Sequence, residues 1–294
     1  MPSAKLKNQL HLHFLVFIAG FTAILGELIS LKAVSLVWYR MLIAGILMFI
    51  FIKIKKISLL LPIKSILNFF LAGIVIALHW ITFFAAIKAS NISITLAMFS
   101  TGAFFASLIE PIFYKRKINP YEILFGLLVI AGVFMIMQTE LKHLLGIGLG
   151  ILSALFSSLF AVMNGKFVEC YNASAISFYE FVSGVFFISI FIVFSKKGFQ
   201  PSFFNLSASD LGYLGLLASV CTAYAFVASV YVMRFISPYS VVLTYNLEPI
   251  YGIFLSLIFF PQSETMPTLF YLGAALIFST VLLNALIQNK VTKN

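Results

Sequence analysis

Charged side chains are scarce in this sequence. They make up 10% of its 294 residues, whereas 62% of the residues are hydrophobic. Soluble domains are typically about 25% charged and 45–50% apolar, so a soluble fold of this length would lack the polar surface to cover itself. Strands of a membrane β-barrel alternate apolar and polar residues, but here the apolar runs are unbroken and of helical length. The composition therefore predicts an all-α integral membrane protein.

Cysteine and aspartate are nearly absent. Cys170 and Cys221 lie far apart without the spacing of a metal site or a disulfide framework. No phosphate-binding GxxxxGK[ST] loop occurs, so nothing indicates ATP hydrolysis. Asp210 is the only aspartate, and the four histidines have no metal-ligand spacing. We therefore expect no cofactor and no metal, and an enzyme that modifies lipids is the weaker alternative.

The apolar runs divide into segments long enough to cross a bilayer, which needs roughly 20 residues per helix. Charge clusters, prolines and Asn/Ser turns separate ten such segments. Their predicted bounds are 11–28, 34–53, 65–87, 92–113, 120–138, 145–167, 174–194, 211–233, 239–260 and 267–288. The connections are short, which leaves almost no chain for a soluble domain.

The net charge of +10 comes from 19 Lys and Arg residues that lie mostly between these segments. Basic residues there act as topology signals, so no nucleic-acid partner is expected. If the N-terminus is cytoplasmic, only Lys32, Lys88, Lys142, Lys196 and Lys197 fall on the opposite side, and Arg40 lies within a span. The asymmetry predicts that both termini are cytoplasmic.

The two halves of the chain resemble each other. An offset of about 147 residues pairs Ser93 with Ser240 and Gly126 with Gly273, and it places the fourth span on the ninth and the fifth on the tenth. Two five-span halves, residues 11–138 and 145–288, must enter the membrane from opposite sides because five is odd. Inverted repeats of this kind are typical of secondary transporters, with the substrate site near the midplane.

The chain also resembles a known family. The motifs that carry the resemblance are Trp38-Tyr39-Arg40-Met41 in the second span, Ala86-Ile87-Lys88-Ala89-Ser90 after the third, and Gly126 with Gly132 in the fifth. They are similar to those of the EamA family of the drug/metabolite transporter superfamily. The resemblance implies movement of amino acids, metabolites or drugs across the bacterial inner membrane. One departure is Lys115-Arg116-Lys117, which stands where the family commonly has Gly-Glu, and only Glu264 matches that motif after the ninth span.

Polar groups at bilayer depth are costly, so each is a candidate for function. Glu248 lies midway along the ninth span, and Pro249 behind it frees a backbone carbonyl one turn earlier. It is either a cation or proton site or a glutamate that only joins helices. The 147 offset maps Glu248 onto Thr101, beside Ser100, and we expect the substrate site at these positions.

Three further charges are candidates for a gate or a mouth of the transport path. Arg40 and Glu180 correspond under an offset of 140 and should lie about 10 Å deep from opposite faces. A direct salt bridge between them is therefore not expected. Glu27, at the outer end of the first span, is either a gate residue or a solvated helix end.

Aromatic and amide side chains complete the predicted substrate site. Their alternative role is packing against lipid or within the core. The candidates are His79, Trp80, Phe83, Tyr224, Tyr245, Asn246 and Asn164.

Taken together, the sequence predicts a secondary transporter that works by alternating access and exports small organic solutes. A channel or a lipid-modifying enzyme are the alternatives. The expected partners are a small-molecule substrate and membrane lipid, the protein is expected to be a monomer or a weak dimer, and proton coupling is left open.

Overall fold

The computed structural model describes residues 4–115, 117, 120–195, 198–232, 244–245 and 247–291. All regular structure within these ranges is helical. The helices are α1 (Ala4–Leu28), α2 (Ala33–Lys55), α3 (Ile63–Ala89), α4 (Ile92–Phe99), α5 (Gly102–Tyr114), α6 (Pro120–Thr139), α7 (Leu144–Phe167), α8 (Ala173–Phe194), α9 (Pro201–Phe204), α10 (Ala208–Ala218), α11 (Ala225–Val232), α12 (Glu248–Phe259), α13 (Pro261–Glu264) and α14 (Thr268–Val291).

Most of these helices can cross a membrane. Among the described residues, seven helical runs are long and apolar enough, and three shorter apolar helices lie within α6, α12 and α14. One of the seven runs joins α4 to α5 across a break at Ser100 and Thr101. Another joins α10 to α11 through a π-helical segment, Ser219–Tyr224. Every predicted span therefore coincides with at least one apolar helix.

Short polar residues begin several helices, as the turn chemistry of the sequence predicts. The side chain of Asn91 accepts a hydrogen bond from the Ile94 N–H at the start of α4. Asn172 does the same for Ser174 at the start of α8. These caps satisfy backbone donors that have no partner within the helix, which explains why the apolar runs are interrupted there.

The principal helix contacts form a pattern with internal symmetry. α3 packs against α7 and α8, whereas the run from α10 to α11 packs against α1 and α2. α1 contacts α12, and α7 contacts α4 and α5. The pairs α2–α8, α4–α12 and α6–α14 also pack directly. Exchanging each helix of the first half for its counterpart in the second half leaves these contacts unchanged.

Glycines allow the closest approaches between the halves. A Cβ added at Gly20 of α1 would lie 3.0 Å from the Gly252 N of α12 and 3.2 Å from the Glu248 O. A Cβ at Gly132 of α6 would lie 2.9 Å from the Gly273 O of α14. The backbones therefore touch directly, and the α1–α12 contact fixes the position of Glu248.

Candidate functional site

Arg40 lies inside the helix bundle, where it is 4% exposed. Its Nε donates a hydrogen bond of 2.8 Å to Thr222 Oγ1. The guanidinium carbon lies 3.8 Å from the centre of the Trp80 ring, within the range of a cation–π contact. Its Nη1 is buried and has no hydrogen-bond partner. Arg40 thus presents an unused donor to the interior of the protein.

The π-helical segment positions Thr222 as the partner of Arg40. The Thr222 hydroxyl donates to the Leu217 O, five residues back, at 2.8 Å. Its oxygen is then available to accept from Arg40. A π-helical turn is wider than an α-helical turn, and such turns are frequent at functional sites.

Glu248 is the first residue of α12 and is half-buried. A carboxylate at a helix N-terminus is favoured by the partial positive charge there. It interacts electrostatically with Arg40, yet the two form no ion pair within 4 Å, since the only such pair in the described ranges joins Lys88 to Glu27. The two opposite charges, which come from different halves of the chain, are therefore more than 4 Å apart.

His79 and its neighbours form an aromatic wall beside these charges. His79 Nδ1 lies 3.0 Å from the Ser153 O and 2.9 Å from Ser153 Oγ. A proton on Nδ1 satisfies both contacts, because the carbonyl only accepts and the Ser153 hydroxyl can itself donate to the His79 O. The imidazole stacks on Phe99 with centroids 5.4 Å apart, and Phe83 meets Phe99 edge-on at 5.6 Å. His79 also interacts electrostatically with Arg40. We call Arg40, His79, Trp80, Thr222 and Glu248 the central cluster.

Ser100 and Thr101 lie at the break between α4 and α5. The Thr101 hydroxyl donates to the Met98 O at 2.7 Å, and the Ser100 hydroxyl donates to the Leu96 O at 2.9 Å. α5 begins directly after Thr101 and α12 begins at Glu248. The 147 offset therefore pairs two helix starts, one from each half of the chain.

Asn164 and Glu180 form a second polar pair. Asn164 Nδ2 donates to Glu180 Oε1 at 2.7 Å. Glu180 is fully buried, and its Oε2 has no partner. No ion pair joins it to Arg40 in the described part of the chain. The sequence indicated both residues as candidates but did not show that they meet.

Three of the remaining candidates make other contacts that the structure describes. Tyr224 is 42% exposed, and its hydroxyl lies 2.7 Å from His11 Nε2. The Tyr245 hydroxyl lies 2.7 Å from Ser229 Oγ. Glu27 is exposed and pairs with Lys88 at 3.6 Å. Asn246 lies outside the residues that the structure describes.

Glu264 connects the two halves of the chain at one end of the bundle. Its carboxylate accepts hydrogen bonds from the Ile92 N–H at 2.9 Å and the Ser93 N–H at 2.8 Å, the first residues of α4. Ser93 Oγ in turn lies 3.3 Å from Ser256 Oγ of α12. Burial raises the pKa of the Glu264 carboxyl above its usual value, although the two backbone N–H groups act in the opposite direction. This carboxylate holds the start of α4 against the second half.

Sequence reasoning missed Thr222, Ser153 and Phe99 as neighbours of the central cluster. Their partners are far away in the chain, 182 residues for Thr222 and 74 for Ser153. The available signal was the presence of small hydroxyl residues in the middle of apolar runs. Nothing in the described residues gathers three or more His, Cys, Asp or Glu side chains that could hold a metal ion.

The model of the EamA-like transporter family matches residues 10–138 and, a second time, residues 144–286. The chain belongs to the EamA-like transporter family. It is therefore a multi-pass membrane protein built from two repeats and is related to transporters of the drug/metabolite superfamily. No curated protein matches the chain.

One solved crystal structure has the same fold as this EamA-like chain. The two chains superpose with a TM-score of 0.65 over 97% of this chain and 99% of the other, at 12% sequence identity. At this identity the likeness shows the fold alone.

Proposed function

We propose that this EamA-like protein exports zwitterionic amino acids with apolar side chains by alternating access. The observation that carries the proposal is the separation of Arg40 from Glu248. Arg40 keeps an unpartnered buried donor, and Glu248 accepts no hydrogen bond from another described residue. A buried donor without a partner costs roughly 1–3 kcal/mol, so a ligand that satisfies it is favoured.

The chemistry of the two charges selects the ligand. A guanidinium binds a carboxylate through two parallel hydrogen bonds, so Arg40 is assigned to the substrate carboxylate. Glu248 is assigned to the substrate ammonium group. An α-amino acid carries both groups on one carbon and fits between two opposite charges that do not touch. Arg40 then belongs to the centre of the bundle instead of a mouth.

The aromatic wall supports the choice of an apolar side chain. Trp80, Phe83 and Phe99 lie around His79 and Arg40. Ligand pockets are typically lined by apolar and aromatic side chains with a few placed polar groups. The remaining nitrogen of His79, Nε2, is available to accept a hydrogen bond from the substrate ammonium.

The proposed architecture has ten spans in two inverted repeats, residues 11–138 and 145–288, in the bacterial inner membrane with both termini cytoplasmic. The two family matches and the symmetric pattern of helix contacts support the repeat. The distribution of Lys and Arg supports the orientation. Export and a monomeric or weakly dimeric state rest on family membership alone. On the same ground we propose that the protein is not an enzyme.

Counterflow in proteoliposomes tests the substrate class. We expect saturable exchange of radiolabelled phenylalanine and leucine. Phenethylamine, which lacks the carboxylate, and 3-phenylpropionate, which lacks the ammonium group, should compete at least an order of magnitude less well, since each leaves one charge unpaired. Equal competition by all compounds would overturn the zwitterion assignment.

The same preparation separates the alternatives to a carrier. A channel would pass an unsaturable flux of the labelled amino acid without counterflow, and an enzyme would change the lipid composition of the vesicles. The matched control is Lys88→Gln, because Lys88 is exposed and both its ion pair and its hydrogen bond are with Glu27 at the surface. Exposed pairs contribute about 0–1 kcal/mol, so this variant should transport like the wild type.

A further inference from the structure

A second buried carboxyl lies apart from the central cluster. Glu180 of α8 is fully buried, and its contact with Asn164 of α7 supplies one hydrogen bond, to Oε1. No donor reaches Oε2. A carboxylate has acceptor capacity for several donors, and an isolated ionised carboxylate in an apolar interior is strongly disfavoured. The neutral, protonated carboxyl fits this environment better.

No described cation on a neighbouring helix compensates Glu180. Arg40 of α2 bonds Thr222, His79 of α3 bonds Ser153, and Lys166 of α7 bonds the Phe113 O. α11 carries no charged residue. The other basic side chains of α2 and α3 are all exposed: Lys53, Lys55, Lys64 and Lys88. The phenols of Tyr39 and Tyr179 donate to the Phe203 O and the Leu59 O.

The surroundings of the pair are apolar and tightly packed. The turns of α3 and α7 that supply Gly73 and Asn164 also supply the apolar cluster of Ala72, Val75 and Met163. A Cβ added at Gly73 would collide with the Glu180 O and lie 2.8 Å from its Cα. α3 and α8 therefore touch backbone to backbone at Glu180, and the Glu180 residue is 0% exposed, so hydrating its carboxylate would require the surrounding helices to move.

One residue connects this pair to the central cluster. Phe181, next to Glu180 on α8, stacks on Trp80 with centroids 6.1 Å apart and planes inclined by 30°. The Trp80 ring also lies 3.8 Å from the Arg40 guanidinium. Since Phe181 follows Glu180 on the same helix, a shift of α8 at Glu180 would also move a ring that contacts Trp80.

We propose that the Glu180–Asn164 pair is a proton-binding site that couples transport to a pH gradient. This inference rests on the proposed function. A proton from water forms an O–H bond at Oε2, while Asn164 holds Oε1. Its return to water breaks that O–H bond and leaves a carboxylate, which requires hydration and separates α8 from α3. In the proposed topology Glu180 lies about 10 Å from the cytoplasmic face. It exchanges its proton with the cytoplasm in the inward-open state, and alternating access exposes it to the opposite side in the outward-open state.

Infrared difference spectroscopy of the full-length protein in nanodiscs tests the proton itself. At neutral pH, wild type minus Glu180→Gln should show the carbonyl band of one protonated carboxyl. Asn164→Leu should move that band to higher frequency, because the carbonyl loses its hydrogen bond, whereas Glu248→Gln should leave it in place. A carboxylate band in place of the carboxyl band, at neutral pH, would overturn the proposal.

Phenylalanine uptake into proteoliposomes tests the coupling. For wild type and for each variant, the phenylalanine accumulation under a pH gradient is divided by the phenylalanine exchange that the same protein shows at equal pH on both sides. We expect this ratio to fall for Glu180→Gln to the value without a gradient. An unchanged ratio overturns the coupling. If wild-type protein moves no phenylalanine, the proposed function fails, while the spectra still decide whether Glu180 holds a proton.

Discussion

Arg40 makes contacts that a lysine could not reproduce. Its planar guanidinium lies over Trp80 while Nε bonds Thr222, so Nη1 is the atom left for a ligand. Arg40→Lys keeps the charge but loses the planar fork and most of the stacking. We expect a loss of about 1–2 kcal/mol, which corresponds to a roughly ten-fold weaker apparent affinity for phenylalanine in counterflow. Affinity equal to that of the wild type would remove Arg40 from the site.

Glu248 allows a test of ammonium recognition. Glu248→Gln keeps the volume and a hydrogen-bonding oxygen but removes the negative charge. We expect the variant to fold and insert, and to lose the preference for phenylalanine over 3-phenylpropionate in competition assays. A preserved preference would assign Glu248 to helix packing, and His79 would become the next candidate, since Glu27 is engaged with Lys88.

At the scale of single residues, sequence reasoning could name the charges but not their partners. Arg40, Glu180 and Glu248 stand out because charge in an apolar run is costly. Which of them meet depends on helix rotation, and a sequence with weak amphipathic patterning does not specify it. Tyr224, which its spacing predicts to line the site, has a side chain that is 42% exposed and contacts His11, and its role stays a prediction.

Helix α4 is anchored at its start by a side chain from the other half of the chain. Glu264 accepts two backbone N–H groups of α4 that have no partner within the helix. Glu264→Ala removes these acceptors, and we expect thermal unfolding in detergent to show a loss of about 1–2 kcal/mol. Gln262→Ala changes an exposed neighbour on α13 and should have little effect. Equal effects of both variants would contradict the anchoring role.

The same carboxyl gives an expected pH dependence of stability. Since the pKa of Glu264 is raised in the folded protein, the folded state retains this proton at pH values where the unfolded state has released it. Its contribution to stability is therefore full below the ordinary glutamate pKa and falls as the pH rises through the raised pKa. The Glu264→Gln variant has no titrating group at this position, so its unfolding temperature should lack this fall. The measurement is the difference in unfolding temperature between wild type and variant, followed from below the ordinary glutamate pKa to above the raised pKa.

At the scale of helices, the apolar runs predicted where helices occur but not how they are interrupted. The break at Ser100 and Thr101 and the π-helical segment Ser219–Tyr224 lie inside runs that read as continuous spans. The periodicity of apolar residues does not distinguish a π-helical turn, in which the backbone N–H bonds the carbonyl five residues back, from an α-helical turn, in which it bonds the carbonyl four residues back. Hydroxyl residues such as Thr222, which bond backbone carbonyls, make such turns possible.

At the scale of the whole molecule, the repeat could be predicted by counting the apolar segments in each half of the chain. Five predicted spans in each half imply opposite insertion, and the weak 147 offset predicts which helices correspond. The observed contacts are consistent with that assignment, because exchanging the halves leaves the principal packing pairs unchanged. The rotation that relates the two halves, its angle and its axis, could not be predicted from the sequence. It depends on close contacts between helices, such as that of Gly20 with Gly252.

The orientation in the membrane can be tested with the native cysteines. Cys170 is exposed between α7 and α8, and Cys221 is buried. In the proposed topology that connection is cytoplasmic. A membrane-impermeant maleimide should therefore leave Cys170 unlabelled in intact cells and label it in inside-out vesicles, while Cys221 stays unlabelled in both.

An engineered cysteine provides the opposite control. Ser202 is exposed on α9, which the Lys and Arg distribution places on the outer side. Ser202→Cys in a Cys170→Ser background should react in intact cells. A reporter fused after Asn294 should be active only in the cytoplasm, because ten spans return the chain to its starting side. An external reporter combined with the predicted labelling of Cys170 and Ser202→Cys would mean an odd number of spans, and two inverted halves of five spans each could not then be formed.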